Sequence, residues 1–467
     1  MTPFSYIIIL FWIFVLAKNK LKNAFLAQLA FTVFISVFVE VGYFLDSDVV
    51  RIEFWQISII LTFITAIPLF WSQFVIKKKF FVYLLTLFIT LFLLIFFPVN
   101  QPVVIGASGV NEEVMSGVSS YILPSFSKFS IFYFFFAVIQ AFSIQVAFTG
   151  FTKKDYYYLI HKLSLGSKII ILIVLAEIVL KYWSITLYSD LLIEVFGLGS
   201  STQLPDYSIG NSFMLQGLTR EGSHLAYSLF TALTVIFVES KISSRNKLNK
   251  FFIILGIIEL SFSMAFTSLL VFTMLLLMYI IYRFYHVTNN GKILKTVKIF
   301  SLITLVSLLM YPLFFIEDGY YFTRFLSSFD DVLYLLTPKN INVLSGLTEL
   351  SSTTARIYSI IDNLSLLQYR PFFGVGIGTN FSHGSTALTL GETGILGLIS
   401  FVYFYFFSMP INNKKKIYWI LIFIWLIGNL FVSRPSLIVR MDSFLFFVCL
   451  YLLLNNDNVS NLTKKIC

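Results

Sequence analysis

The sequence predicts an all-α polytopic membrane protein with about 13 transmembrane helices and a large, partly helical outer loop. Three observations predict this class. Of the 467 residues, 58% are hydrophobic and only 12% are charged, which is about half the charged share of an ordinary globular domain. The apolar residues form long runs between short charged breaks, as in transmembrane helices. The basic residues fall in alternate breaks, which gives the helices one consistent orientation.

The apolar runs give the candidate helices in chain order. A perpendicular crossing needs about 20 residues, so several runs are short and their boundaries are approximate. The run from 251 to 282 is interpreted as a tight hairpin, since a single helix there would carry all later loops to the opposite face. The predicted spans are 4–17, 24–45, 54–76, 80–98, 129–150, 169–187, 224–239, 251–264, 266–282, 299–315, 394–411, 417–432 and 443–454.

The lysines and arginines predict the orientation, because these residues accumulate in short cytoplasmic loops. Seven basic clusters hold 23 of the 33 lysines and arginines and fall in alternate loops. The first helix has three lysines just after it and none before it, the reverse of a signal peptide. We therefore expect the N-terminus outside and the C-terminus in the cytoplasm. The clusters begin at Lys18, Lys77, Lys153, Lys241, Arg283, Lys414 and Lys464.

This topology divides the chain into three parts. Residues 1–315 form a transmembrane bundle with outer loops near 99–128 and 188–223. Residues 316–393 form a large periplasmic loop, and residues 394–467 form the C-terminal helices and a cytoplasmic tail. A long loop that is not low in complexity is usually functional. The third outer segment is therefore expected to carry the active site.

One stretch of the large loop has a helical pattern. Apolar residues recur at helical spacing over 355–367, and Ser351-Ser352-Thr353 can cap the start. The residue before a proline avoids helical backbone, so this helix is expected to end before Pro371.

Arginine and lysine are sorted by face. Seven of the nine arginines lie on the predicted outer face, while 21 of the 24 lysines lie inside. The guanidinium fork donates paired, charge-assisted hydrogen bonds to diphosphate oxygens, which an ammonium group does not match in geometry. Two interpretations stay open: the outer arginines bind a phosphorylated ligand, or they pair with nearby acids such as Asp330 and Asp331. The seven are Arg51, Arg220, Arg324, Arg356, Arg370, Arg434 and Arg440.

Few charges lie within the predicted membrane spans. Glu177 and Lys181 stand four residues apart on one helix, in the order that favours an ion pair. Charges at membrane depth are functional candidates by default, and a self-neutralised pair that fixes helix packing is the alternative. Glu40 and Glu259 fall near the outer ends of their helices, where water can reach them.

The most informative stretch runs from Arg370-Pro-Phe-Phe-Gly-Val-Gly-Ile-Gly through His383 to Gly391-Glu-Thr-Gly-Ile-Leu-Gly. It resembles the outer loop of the O-antigen polymerase (Wzy-type) and O-antigen ligase superfamily of bacterial membrane glycosyltransferases. In that superfamily a glycine-rich segment precedes a histidine, and a Glu-x-Gly-x-x-Gly turn opens the next transmembrane helix. This chain has Gly384 where the family usually has asparagine after the histidine.

Two arginine motifs add to the resemblance. Thr219-Arg220-Glu221-Gly222 resembles the family's motif in the earlier outer loop, and Thr354-Ala355-Arg356-Ile357 resembles the second arginine motif. The resemblance implies a GT-C-like fold in the bacterial inner membrane. It also implies that the chain polymerises oligosaccharide repeat units carried on undecaprenyl diphosphate, without a metal or another cofactor. Membrane lipids, a chain-length regulator and a flippase of the same pathway are the partners it implies; a nucleic-acid partner is not expected.

The resemblance also implies roles for single residues. Arg220 and Arg356 would neutralise the charge of the departing lipid diphosphate. His383 would accept the proton of the acceptor hydroxyl or donate a hydrogen bond to diphosphate, with a structural role as the alternative. Glu392 either orients His383 or favours a helix N-terminus by its charge.

The remaining candidates are expected to bind substrate. Gly374, Gly376 and Gly378 predict a tight turn that aims backbone N–H groups at phosphate. Arg370, Arg434 and Arg440 are further candidates, and the last two could instead anchor helix ends at the membrane interface.

Three alternatives share this chemistry or this substrate. An O-antigen ligase would transfer the glycan to lipid A–core, and a capsular polysaccharide polymerase would build a different surface polymer. A flippase moving the same lipid-linked unit belongs to a different class. It needs intramembrane charges facing a central cavity rather than a large ordered outer loop.

Overall fold

The computed structural model describes most of residues 2–262 and part of residues 359–454. Two predicted spans, 266–282 and 299–315, and most of the predicted large loop lie outside the described residues. The described residues are 2–39, 43–46, 51–72, 77–99, 103–104, 121–122, 126–183, 185–196, 208–209, 212–213, 215, 217–219, 222–242, 246–262, 359–361, 363–379, 384–409, 416–430 and 436–454.

Twelve α-helices occur in these ranges. Eleven of them overlap the predicted spans one by one, and most of α7 lies in the predicted outer loop 188–223. The N-terminal helices are α1 (Pro3–Lys18), α2 (Leu21–Phe38), α3 (Phe54–Ser72), α4 (Lys78–Phe96), α5 (Lys128–Gly150), α6 (Lys153–Trp183), α7 (Ile185–Phe196), α8 (Gly222–Ile242) and α9 (Asn246–Phe262). The C-terminal helices are α10 (Ser385–Ser408), α11 (Lys416–Gly428) and α12 (Asp442–Leu454).

Seven of the described helices are long and apolar enough to cross a bilayer, namely α2, α3, α4, α5, α6, α8 and α10. Helix α4 shows the apolar surface that such a helix exposes to lipid. One side of α4 carries large apolar residues that are exposed at helical spacing: Phe81, Leu85, Phe88, Phe92 and Phe96. Such a continuous apolar stripe is unfavourable in water and is expected in hydrocarbon. The chain is a mainly helical, membrane-embedded protein, and the total of 13 crossings stays a prediction.

The core surrounds α2, which packs against α1, α3, α6, α8 and α12. Its polar residues Gln28, Thr32 and Ser36 are spaced four apart and fully buried. The Thr32 hydroxyl lies 2.6 Å from that of Thr62 and donates to the carbonyl of Ser58 at 3.0 Å. Interhelical hydrogen bonds of this kind satisfy polar groups where water is absent.

The all-α prediction needs one correction, because three short antiparallel hairpins occur between helices. The predicted span 24–45 is too long: α2 ends at Phe38, and the backbone is already extended at Val39. The first hairpin follows, with Asp46 opposite Arg51. The three pairs are β1 (Tyr43–Asp46) with β2 (Arg51–Glu53), β3 (Val103–Val104) with β4 (Tyr121–Ile122), and β5 (Ser208–Ile209) with β6 (Ser212–Phe213).

Helix α6 is longer than the predicted span 169–187. It has 31 residues, or about 46 Å at 1.5 Å per residue, which exceeds the roughly 30 Å of a bilayer core. Its N-terminal half is amphipathic, with Tyr156, Leu159, Ile160 and Leu163 buried. The search for apolar runs did not include this half, because its other side carries charged residues.

One carboxylate ties this half of α6 to α8. Glu239 accepts hydrogen bonds from His161 Nδ1 at 2.7 Å, from Lys168 Nζ at 2.9 Å and from the Ser164 hydroxyl. Lys168 and Glu239 are both buried, so their ion pair compensates two charges that have little access to water.

The amphipathic helix predicted over 355–367 is described only in part. Residues 359–361 and 363–365 are helical, and a 3₁₀ turn over Leu366–Gln368 follows. The predicted end before Pro371 is confirmed. Ile360 is buried, and Ile361 is exposed.

Candidate functional site

Helix α10 is broken in the middle of the predicted Glu-x-Gly-x-x-Gly turn. Gly394 has φ +68° and ψ −173°, which is not helical. In a continuous helix the N–H groups of Ile395 and Leu396 would donate to the carbonyls of Gly391 and Glu392. The break frees these four backbone groups, and buried backbone groups need partners.

The glycine-rich segment supplies those partners. Residues 371–376 lie along the break, donate to the two freed carbonyls and accept from the two freed N–H groups. The four bonds run from Val375 N to Gly391 O, Gly376 N to Glu392 O, Ile395 N to Pro371 O and Leu396 N to Phe372 O, with N···O distances of 2.9–3.0 Å. The two motifs of the sequence resemblance therefore form one interlocked unit.

Two glycines allow this close approach. Gly374 has φ +66°, and a Cβ there would overlap the backbone of Glu392 and Thr393. A Cβ at Gly394 would overlap the backbone of Phe372. Any other residue at either position meets both a steric clash and an unfavourable φ.

We expect Gly394→Ala to destabilise the protein by at least about 2 kcal/mol, since positive φ is costly for alanine and backbone hydrogen bonds at the break must open. The measurement is the thermal unfolding temperature of the detergent-purified protein. Gly150→Ala is the control, because Gly150 is helical with no positive φ. If the two variants unfold at the same temperature, the close packing at the break is not needed for stability.

Glu392 lies at the centre of this unit and is 3% exposed. Its Oε1 accepts the N–H of Gly378 at 2.7 Å. Its Oε2 has no hydrogen-bond partner of good geometry among the described residues, although the Ser436 hydroxyl lies nearby. The carboxylate therefore has one oxygen that fixes the glycine-rich turn and one that can accept a further hydrogen bond.

The sequence predicts that Glu392 lies just before a helix start. Helix α10 consists of two helical segments that meet at Gly394; the first begins at Ser385, and Glu392 lies about two turns inside it and just before the second. Residues 385–393, which the prediction placed in the large loop, are therefore helical. The two segments stay joined because the turn at the break replaces the lost helical bonds.

The first turns of α10 are anchored to the segment before α12 and to the end of α11. Thr386 N donates to Asn429 O at 3.2 Å. The hydroxyls of Thr389 and Ser436 lie 2.9 Å apart, and Leu437 N donates to Thr389 Oγ1 at 3.0 Å. Sequence reasoning missed Thr389 and Ser436; small polar residues inside an apolar run were the available signal.

Arg370 joins the glycine-rich segment to α4. Its Nη1 donates to the carbonyl of Leu93 at 3.1 Å, close to the C-terminus of α4, where a positive charge is favourable. Partial burial lowers the pKa of the Arg370 guanidinium. The side chain is half-buried, and no second partner for it is found among the described residues.

The expectation that the three glycines aim their N–H groups at phosphate is wrong for this structure. Gly374 N donates to Arg370 O at 3.0 Å, Gly376 N to the Glu392 carbonyl and Gly378 N to the Glu392 carboxylate. All three donors are used to hold the turn against the broken helix. Their spacing reflects packing, and a ligand would have to displace an existing bond.

Arg440 lies in the interior of the bundle rather than on an exposed outer loop. It is 4% exposed, donates to the carbonyl of Ser36 and lies with Nε 3.6 Å from Asp442 Oδ1. Gln140 Nε2 donates to the Arg440 carbonyl at 2.9 Å. These contacts join α2 and α5 to the start of α12. The phosphate-binding role of Arg440 stays a prediction.

The structure thus brings together Arg370, the three glycines and Glu392. The other candidates, His383, Arg356, Arg220 and Arg434, lie outside the described residues. No group of three or more His, Cys, Asp or Glu side chains that could hold a metal is found within the described ranges.

Fold and site together define a helical membrane protein whose candidate site is built on a broken helix. No protein-family model, curated protein or solved structure matches the chain. The functional argument therefore depends on the residues themselves.

Proposed function

We propose that this protein is an O-antigen polymerase, a glycosyltransferase that polymerises undecaprenyl-diphosphate-linked repeat units on the periplasmic face of the inner membrane. The interlock of segment 371–376 with the break in α10 is the observation that carries the proposal. The two motifs of the resemblance are separated by His383 in the sequence. Because the two motifs are hydrogen-bonded to each other, the chain before that histidine and the chain after it belong to one fixed unit.

The proposed reaction moves a growing glycan from its lipid carrier to an acceptor sugar. A hydroxyl oxygen of the acceptor forms a bond to the anomeric carbon, and the bond from that carbon to the diphosphate oxygen breaks. The hydroxyl proton passes to His383 as general base. Arg220 and Arg356 neutralise the negative charge that the departing diphosphate gains. Arg370 and Arg434 are the further candidates for holding the donor.

Glu392 supports His383 in this proposal. Its Oε1 fixes Gly378, five positions before His383, and α10 fixes Gly384 just after it. The described residues on both sides of His383 in the sequence are thus held, and small misplacements of a catalytic group are costly. The Oε2 atom is the acceptor that can orient the imidazole.

Deleting the gene tests the proposed function by gel electrophoresis of the surface glycolipids and of the lipid-linked intermediates. We expect single repeat units on the lipid A–core, since only polymerisation is lost. Bare core with polymer stranded on the carrier would instead identify a ligase. Lipid-linked units confined to the cytoplasmic leaflet would identify a flippase, and loss of capsule with normal lipopolysaccharide would identify a capsular polymerase.

A further inference from the structure

The short turn before Arg220 is held between two helices. The N–H of Gly217 donates to Glu177 Oε2 of α6 at 2.7 Å, and the hydroxyl of Tyr188 in α7 donates to the Gly217 carbonyl at 2.6 Å. The N–H and the carbonyl of Gly217 are thus each hydrogen-bonded to a side chain, and the two side chains come from different helices. Gly217 has φ +57°, and a Cβ there would press on Leu225 of α8, so the turn also packs closely on the helix that follows it.

These contacts are buried. Glu177 is 0% exposed and Tyr188 is 5% exposed, and Leu218 and Thr219 of the turn are buried as well. Burial and the nearby charge of Glu177 raise the pKa of Tyr188 well above its usual value, so the hydroxyl keeps its proton and stays a donor at neutral pH. A charge-assisted hydrogen bond in such surroundings is stronger than a neutral one.

A buried carboxylate at this depth is costly, and its surroundings add to the cost. Glu259 of α9 is also 0% exposed and acts electrostatically on Glu177. Neither oxygen of Glu259 has a hydrogen-bond partner among the described residues. The predicted partner of Glu177 was Lys181, whose side chain lies outside the described residues. An apolar residue of similar volume is often as stable as a buried charge, and the bond to Gly217 is a specific contact that such a residue could not make.

We propose that Glu177 and Tyr188 are positioning residues that clamp Gly217 and thereby fix Arg220. This inference rests on the proposed function, in which Arg220 neutralises the leaving diphosphate. Arg220 stands between Thr219, the last residue of the clamped turn, and Gly222, the first residue of α8. Two positions, 220 and 221, separate the clamped turn from α8 in the sequence, so the clamp acts on Arg220 through its neighbour Thr219.

The first test compares Glu177→Ala, Glu177→Gln and Tyr188→Phe in cells that carry the variant as the only copy. The measurement is the amount of glycan longer than one repeat. Glutamine keeps an acceptor oxygen, so Glu177→Gln should retain most polymer, whereas Glu177→Ala and Tyr188→Phe should lose up to about 100-fold, the cost of a misplaced catalytic group. Glu194→Gln and Tyr158→Phe are matched controls at exposed positions. Equal activity of Glu177→Ala and the controls would overturn the clamp.

Two further measurements separate the clamp from the proposed function. Hydrogen–deuterium exchange of the peptide containing Gly217 should speed up by about tenfold in Glu177→Ala, as expected for a lost charge-assisted bond, whatever the protein's activity. Unchanged exchange would overturn the clamp alone. Glu177→Ala should also have little additional effect on polymer in an Arg220→Ala background, because both changes remove one function. Normal polymer from Arg220→Ala by itself would instead contradict the proposed role of Arg220.

Discussion

Replacing His383 by alanine is expected to abolish chain extension and leave only single-repeat glycan on the lipid A–core. The proposed general base contributes about 10²–10⁴-fold to the rate of such a transfer, and a ladder of repeats needs many successive transfers. The measurement is electrophoresis of glycolipid extracted from cells that express only the variant. His286→Ala, at a position in a predicted cytoplasmic loop, is the control for expression and insertion. A normal ladder from His383→Ala would contradict the catalytic assignment.

Replacing Arg356 by alanine is also expected to abolish chain extension, for a different reason. Removing one charged donor that stabilises a developing negative charge typically costs about 10²–10³-fold, so this variant should also stop at single repeats. Arg356→Lys separates charge from geometry. Lysine keeps the positive charge but loses the paired donors of the guanidinium fork, and its ladder should be shorter than that of the wild type but present.

The fold was predictable where a helix is apolar on all sides. The predicted spans 80–98 and 129–150 lie within two residues of α4 and α5, because uninterrupted apolar runs mark both ends. The prediction was too short for α6, whose first half is amphipathic, and too long for α2, whose C-terminal apolar residues leave the helix at Val39. Hydropathy indicates which residues avoid water, and it indicates where a helix begins and ends only indirectly.

In the described part of the candidate site, the sequence predicted the glycine-rich turn but not what the turn packs against. The glycines marked a tight turn, as found, but not the broken helix against which it packs. The turn is hydrogen-bonded to backbone groups of Gly391, Glu392, Ile395 and Leu396. Every residue type has a backbone carbonyl, and all but proline have an N–H, so such partners cannot be predicted from residue types. For the same reason the sequence did not reveal Gly217 as a partner of Glu177; the predicted pair of Glu177 with Lys181 stays a prediction.

Glu392→Ala is expected to fold poorly and to lose about 100-fold or more of its polymer, because it removes both functions of the carboxylate. The partly buried N–H of Gly378 would lose its acceptor, which costs about 1 kcal/mol or more of stability, and the support of His383 would be lost with it. Glu392→Gln divides these effects. Its carbonyl oxygen can still accept the Gly378 N–H, so its unfolding temperature should stay near that of the wild type.

The activity of Glu392→Gln then reports on the second oxygen. Because Glu392 Oε2 has no good partner among the described residues, we expect this oxygen to act on His383, and the amide, whose NH₂ group replaces it, should reduce polymer by about tenfold, as for a lost hydrogen bond. The measurements are the glycolipid ladder and the unfolding temperature, with exposed Glu194→Gln as the matched control. If Glu392→Gln is as active as this control, Glu392 serves only to hold the glycine-rich turn against the broken helix.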